Sequence, residues 1–191
     1  MKTLIVAAVR CSLLFTAAAA FSLAHPASAN LITNGGFETG DFTGWTGSGS
    51  AFVTGTAFGV APHSGSFQAE LISAELNQSV ATTPGASYTI SFFLANTGFP
   101  PNSFSVIWGG STIFSLTDQD PFPYGEHTFT ETASTASTAL QFLFFSVPLP
   151  GFLDDISVEP VGVGVPDGGT TVSLLGCALL GLAAVRRKLS Y

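Results

Sequence analysis

Between Asn30 and Val165 the sequence contains no lysine and no arginine. Every basic residue lies at a chain end: Lys2 and Arg10 before that stretch, Arg186, Arg187 and Lys188 after it. The stretch itself carries every acid except Asp167, among them Glu38, Glu70, Glu75, Asp154 and Asp155. A nucleic acid or an anionic membrane surface needs a basic footprint, so neither is a partner expected of this region. Cysteine is as scarce. Cys11 and Cys177 both fall in apolar runs outside the stretch, which removes disulfides, thiolate-bound zinc and a cysteine nucleophile from it. Other catalytic groups are few: His63 and His127 are its only histidines, no G-x-S-x-G turn occurs, and the E-x-D-x-x-E carboxylate spacing is absent. No catalytic residue is assigned, and a non-enzymatic protein is expected.

Hydrophobic residues make up 46% of the chain and charged residues 9%, but long apolar runs are confined to the two ends. Lys2 opens a short basic region, an apolar run extends from Leu4 to Ala24, and Pro26-Ala27-Ser28-Ala29 supplies the small-residue A-x-A pattern of a signal peptidase site. Residues 1–29 are therefore expected to be a signal peptide, cut between Ala29 and Asn30. Arg10, directly before Cys11, spoils a lipoprotein signal.

At the other end a Val-Gly linker over 160–165 leads into Val165-Pro166-Asp167-Gly168-Gly169, then an apolar run from Thr170 to Val185, then Arg186-Arg187-Lys188. As a helix that run would span roughly 24 Å, short of a hydrocarbon core of about 30 Å. It suits a brief anchor in the inner membrane, with the basic end in the cytoplasm and the folded part outside. Turn motif, helix and basic end in this order resemble the VPDGG variant of the PEP-CTERM sorting signals. That resemblance implies that residues 166–191 are read by an exosortase, which releases or attaches the protein at the surface or in the matrix of a Gram-negative-type bacterium, in a setting of exopolysaccharide production. A plain anchor helix is the alternative.

From Asn30 to Glu159 the pattern is short alternating runs between Gly, Pro, Asn and Ser clusters, which predicts an all-β domain. Tyr88, Ile90, Phe92 and Leu94 share one face of a strand over Ser87 to Asn96, and Phe104, Val106 and Trp108 share one face of another before the two-residue hairpin signal Gly109-Gly110. Further strands are expected at Phe67 to Ile72, Leu76 to Ala81, Thr112 to Leu116, His127 to Thr132, Leu140 to Val147 and Asp154 to Val158. With Phe on both faces, Leu140 to Val147 is expected to be central and covered on both sides. Eight or so strands suit a two-sheet sandwich whose twin inner faces take up the many Phe residues. Trp108 belongs to that core, and Trp45 is either core or a platform for a sugar ring.

Two terminal motifs carry a second resemblance. Asn30-Leu31-Ile32-Thr33-Asn34-Gly35-Gly36-Phe37-Glu38 with Gly44-Trp45, and Leu153-Asp154-Asp155-Ile156 at the other end, resemble the galactose-binding-like jelly rolls, in particular carbohydrate-binding modules of families four and nine. The resemblance implies that the first and last segments run side by side and bring Glu38 to Asp154 and Asp155. Hard carboxylates so placed suit one structural Ca²⁺; alternation puts Asp154 and Asp155 on opposite faces, so only one would be a principal ligand, and the Asp-x-Ile setting of Asp154, which better resembles the family's terminal motif, implies Asp154. Asp118 and Asp120 are expected in a polar turn, His63 as a loop hydrogen-bonder, and His127 on a strand surface. If the module holds extracellular polysaccharide, Phe99 and Tyr124 in Pro-rich loops are the candidate stacking residues, with Asn102 and Gln78 as polar partners. A passive matrix protein without a ligand is the alternative.

Overall fold

The computed structural model describes residues 29–162, so residues 1–28 of the expected leader, residues 163–165 of the linker and the sorting tail lie outside the described residues. These form eight strands: β1 (Thr46–Thr54), β2 (Gln68–Ala81), β3 (Ser87–Asn96), β4 (Asn102–Trp108), β5 (Ser111–Thr117), β6 (Phe122–Thr132), β7 (Ser137–Ser146) and β8 (Gly151–Pro160). Every pairing is antiparallel, in the order β5-β4-β7-β2-β8-β3-β6, with β1 paired to β2 off this path. One edge of β2 serves two strands in turn: Ser73 to Ala81 pair with β7, and Ala69 to Leu71 with β8. The chain thereby folds into two layers, β5-β4-β7-β2 and β2-β8-β3-β6. They close over one core, where Phe92 of β3 meets Phe104 of β4 at 5.8 Å and Phe142 of β7 at 5.4 Å. The architecture is the all-β two-layer sandwich that the alternation predicts, a jelly roll as the terminal motifs imply.

The sharing of β2 has a local cause. Ala69 and Leu71 lie in the core, and so do Ala74, Leu76 and Val80, so the inward parity changes between Leu71 and Ala74. Opposite this step Ser50 pairs with Ser73 but Ala51 with Leu71, which leaves Ile72 as the extra residue of a β-bulge. The two strands expected at Phe67 to Ile72 and Leu76 to Ala81 are thus one strand of 14 residues. The eighth strand is β1, which the sequence reading omits because its Gly- and Ser-rich first half is exposed and shows no apolar alternation.

The N-terminal segment runs beside β8 as the terminal motifs imply. Leu31 N donates to Val158 O at 2.8 Å, Val158 N to Asn30 Oδ1 at 3.0 Å, and Ile156 N to Gly35 O at 3.0 Å. The Gly109-Gly110 hairpin also forms: Trp108 pairs with Ser111, and both glycines take positive φ, 56° and 88°, as a type I′ turn requires. Trp45 and Trp108 are both buried in the core.

Two expectations are corrected. β7 is central, between β2 and β4, but only Phe142 and Phe144 are covered; Leu143 and Phe145 are 37% and 45% exposed because no layer lies on its other face. His127 turns inward rather than to the surface. Its ring lies 4.6 Å from Phe114 and 5.3 Å from Phe92, and desolvation lowers its pKa.

Phe142 is fully buried, with Trp45, Phe92 and Phe104 around its ring. Phe142→Ala is expected to cost about 3–5 kcal/mol in urea unfolding, against under about 1 kcal/mol for the half-exposed Phe145→Ala. Similar losses for the two would contradict the inward and outward assignment of β7.

Candidate functional site

Strand register builds polar and apolar rungs across the outer face of the first layer. In one rung Ser48, Glu75, Leu143, Ser105 and Ser115 oppose one another in turn; in the next, Ser50, Ser73, Phe145, Ser103 and Thr117 do. Directly opposed residues share a face, so two apolar side chains stand in the middle of rows of hydroxyls. A third rung sets Asn77 beside Gln141. Glu75 Oε1 accepts from Asn77 Nδ2 at 2.7 Å and from Gln141 Nε2 at 3.5 Å, which fixes an amide and carboxylate row next to Leu143. An open groove of about 420 Å³ runs between Ser48, Ser73, Ser103, Ser105, Leu143 and Phe145. Val147, just past the end of β7, is 54% exposed, and Phe99, 61% exposed, follows Gly98, which packs on the inward Ser146 and on Leu149.

Of the ligand residues expected from sequence, only Phe99 is exposed. Gln78 is buried, its Oε1 accepting from Thr33 N at 2.7 Å and its Nε2 donating to Thr33 O at 3.0 Å, so it ties the N-terminal segment to β2. Asn102 is buried too. It donates to Gln119 O at 2.7 Å and accepts from Gln119 N at 2.9 Å, closing the end of the β4–β5 pair. Tyr124 is a half-buried residue of β6, not a loop aromatic. Its hydroxyl donates to Gln68 Oε1 at 2.6 Å, and burial, with the charges of Asp154 and Asp155, pushes its pKa far above the usual phenol value. Gln78 and Asn102 spend their amides on main chain, and Tyr124 caps other side chains, so the four expected residues do not make one site. Leu143, Phe145 and their serine rungs are the surface that sequence reasoning missed. The signal was the double apolar face of this strand, read there as double burial.

The acids of the terminal motifs border Gly36, with the Glu38 carboxylate turned away toward Gly65. A Cβ placed on Gly36 would meet Asp155 Oδ1 at 3.2 Å, Asp154 Oδ1 at 3.7 Å and Glu38 Cγ at 3.8 Å. Each carboxylate also clamps the loop after Val60. Glu38 Oε1 accepts from Ser66 N and Phe67 N, both at 2.9 Å; Asp154 Oδ2 accepts from His63 N at 2.9 Å and Ser64 N at 3.3 Å. Asp155 takes Ser64 Oγ at 2.7 Å and the His63 ring nitrogen at 2.6 Å, and that ring stacks on Phe93 with centroids 3.5 Å apart. Asp154 is fully buried, and its carboxyl is pushed up to about 6, chiefly by desolvation, with the Asp155 charge adding and main-chain donors opposing. Among the described residues no group of three His, Cys, Asp or Glu side chains has metal-holding spacing. The fit to calcium is therefore one of donor type: hard carboxylate oxygens, one of them buried, in a domain without a basic side chain.

Residues 164–189 match the VPDSG-CTERM motif, so the chain carries a PEP-CTERM-like sorting signal at its C-terminus, with Gly168 where the motif's name has serine. This signal marks a surface-directed protein. No curated protein matches the chain. Among solved structures the fold is similar to TmCBM61 in complex with β-1,4-galactotriose, at 20% identity over 70% of this chain and 99% of that one, TM-score 0.57. It is similar also to the C-terminal family 22 carbohydrate-binding module of Clostridium thermocellum Xyn10B, at 14% identity over 71% and 98%, TM-score 0.53. The enzymatically active domain of bacteriophage CBA120 tailspike protein 4 is similar at 12% identity over 69% of this chain and 21% of that one, TM-score 0.53. At these identities the likeness is one of fold, the jelly roll of carbohydrate-binding modules.

The raised pKa of Asp154 gives the loop clamp a pH dependence. Its native value of about 6 lies above the ordinary 3.8, so protonation favours the folded state; that contribution is complete below pH 3.8 and is lost as pH rises through about 6. Glu70 shifts in the same direction, whereas the lowered Asp41 and the lowered His127 act in the opposite one, His127 over the same pH range and equally in the natural chain and in an Asp154 variant. In chelator, the change in Tm as the pH falls from about 7.5 to about 5 should be more positive by a few degrees in the natural chain than in Asp154→Asn, which lacks the rise that Asp154 contributes. An equal change in the variant would assign it to another group.

Proposed function

We propose that this chain is an exported, non-catalytic carbohydrate-binding protein that holds a neutral polysaccharide on the outer face of β7. The exposed Leu143 and Phe145 stripe between serine rungs carries the reading. A pyranose ring can lay its C–H face on Phe145 while its hydroxyls meet Ser73, Ser103 and Ser105, and the Glu75, Asn77 and Gln141 row orients the next unit. An acidic polymer would meet Glu75 and no cation, which favours a neutral one. The tail supports delivery by an exosortase after brief anchoring in the inner membrane, which places this binding face at the cell surface or in the matrix. A calcium ion held by Glu38 and Asp154, with Asp155 beside them, would supply charge compensation and pin the N-terminal segment to β8.

Retention on β-1,4-galactan or xylan affinity gels tests the binding face. Phe145→Ala should weaken retention about tenfold, equivalent to about 1.4 kcal/mol, with Tm nearly unchanged. Retention by neither polymer, or retention indifferent to Phe145→Ala, would leave the passive matrix protein as the better account.

Calcium is tested separately by melting with the ion and with chelator. Native-state binding adds about 2.7 kcal/mol at a hundredfold excess over Kd, so Tm should differ by several degrees in the natural chain and hardly at all in Glu38→Ala. Identical curves for the natural chain would remove calcium from the proposal.

A further inference from the structure

The bulge at Ile72 leaves Gln68 and Glu70 on the side of β2 away from the inward Ala69 and Leu71, on the outer surface of the second layer. Register places Glu70 between Phe52 of β1 and Phe152 of β8. The segment after β1 folds back over this face, fastened by Gln68 Nε2, which donates to Gly55 O at 2.7 Å and Val60 O at 3.0 Å. An Ala57–Val60 bridge closes its turn, and the tip is Phe58-Gly59, both at positive φ, 49° and 79°. An aromatic residue held in the left-handed region is strained, a state that structures maintain mainly where it positions something. The Phe58 ring stands 6.5 Å from Phe152 and is 57% exposed, and Phe52 is 52% exposed. Glu70 is 7% exposed, and among the described residues no hydrogen-bond donor or cation reaches its carboxylate. Burial raises its pKa with nothing to oppose it. Its oxygens still reach solvent, so a ligand can approach them, and the domain has no lysine or arginine to serve as donor and counter-ion.

We propose that Glu70, Phe52 and Phe58 form a second binding site, separate from the β7 stripe, that takes the protonated amine of an amino sugar. The ammonium meets both needs of the place: it donates hydrogen bonds to the carboxylate and neutralises it, and the faces of Phe52 and Phe58 attract a cation and pack against the C–H face of the sugar ring. A neutral sugar hydroxyl donates a bond but leaves the charge uncompensated. A lysine side chain brings the ammonium without a ring to cover the two phenyl faces. The site stands whether or not the β7 stripe holds a glycan.

Calorimetric titration of the full chain in mild detergent with a glucosamine trisaccharide, and with its N-acetylated counterpart, tests this. The amine form should bind, and N-acetylation of the sugar, Glu70→Gln and Phe58→Ala should each weaken binding by about tenfold or more. The neutral polysaccharides used for the β7 face should not displace it, so failure at one face is distinguishable from failure at the other. Glu70→Gln keeps the side-chain shape and Phe58→Ala alters an exposed turn tip, so if one variant does not fold the other decides. No binding of the amine trisaccharide, binding unchanged in a folded variant, equal binding of the N-acetylated form, or tighter binding of a lysine tripeptide would each overturn the proposal.

Discussion

The extra residue at Ile72 is the constraint on which the rest of this structure depends. Side chains alternate along a strand, so inserting one residue exchanges every face beyond it. Upstream of the bulge Ala69 and Leu71 point into the core; downstream Ala74, Leu76 and Val80 do. A single strand can therefore give its edge first to β8 and then to β7, and the two layers diverge from it. The same exchange distributes the polar side chains. Gln68 and Glu70 come to the outer surface of one layer, and Ser73, Glu75 and Asn77 to that of the other.

The absence of basic side chains shapes the polar chemistry as strongly. Acids in most domains find a lysine or an arginine, whereas here they find main-chain N–H groups, hydroxyls, amides or one imidazole. Glu38, Asp154 and Asp155 use such donors to hold the segment from His63 to Phe67 against β8 and the N-terminal segment. Glu75 is fixed by two amides. Glu70 differs from these in having no such donor among the described residues, and its neighbours across the strands are Phe52 and Phe152 instead of polar groups. The buried Asp154 shows what desolvation does to a carboxylate that has donors but no counter-ion.

Much of the fold is legible in the sequence wherever alternation is strict. The inward faces of β3 and β4, the glycine hairpin between β4 and β5, the burial of Trp108 and the run of the N-terminal segment beside β8 all follow from local pattern or terminal motifs. The binding surfaces are less legible. Alternation separates Phe142 and Phe144 from Leu143 and Phe145 but does not say which pair another layer will cover. The amides of Gln78 and Asn102 look free in sequence, because Thr33 and Gln119, which engage them, are distant in the chain.

By itself, then, the sequence determined an acidic, thiol-free, alternating stretch ahead of a C-terminal sorting signal, since composition and two-residue periodicity are local properties. Only the tertiary structure decided where β2 changes face, which side of β7 meets solvent and which carboxylate lacks a donor. Each of these depends on what another strand places opposite a residue, and such pairings across the sandwich leave no trace in the local pattern.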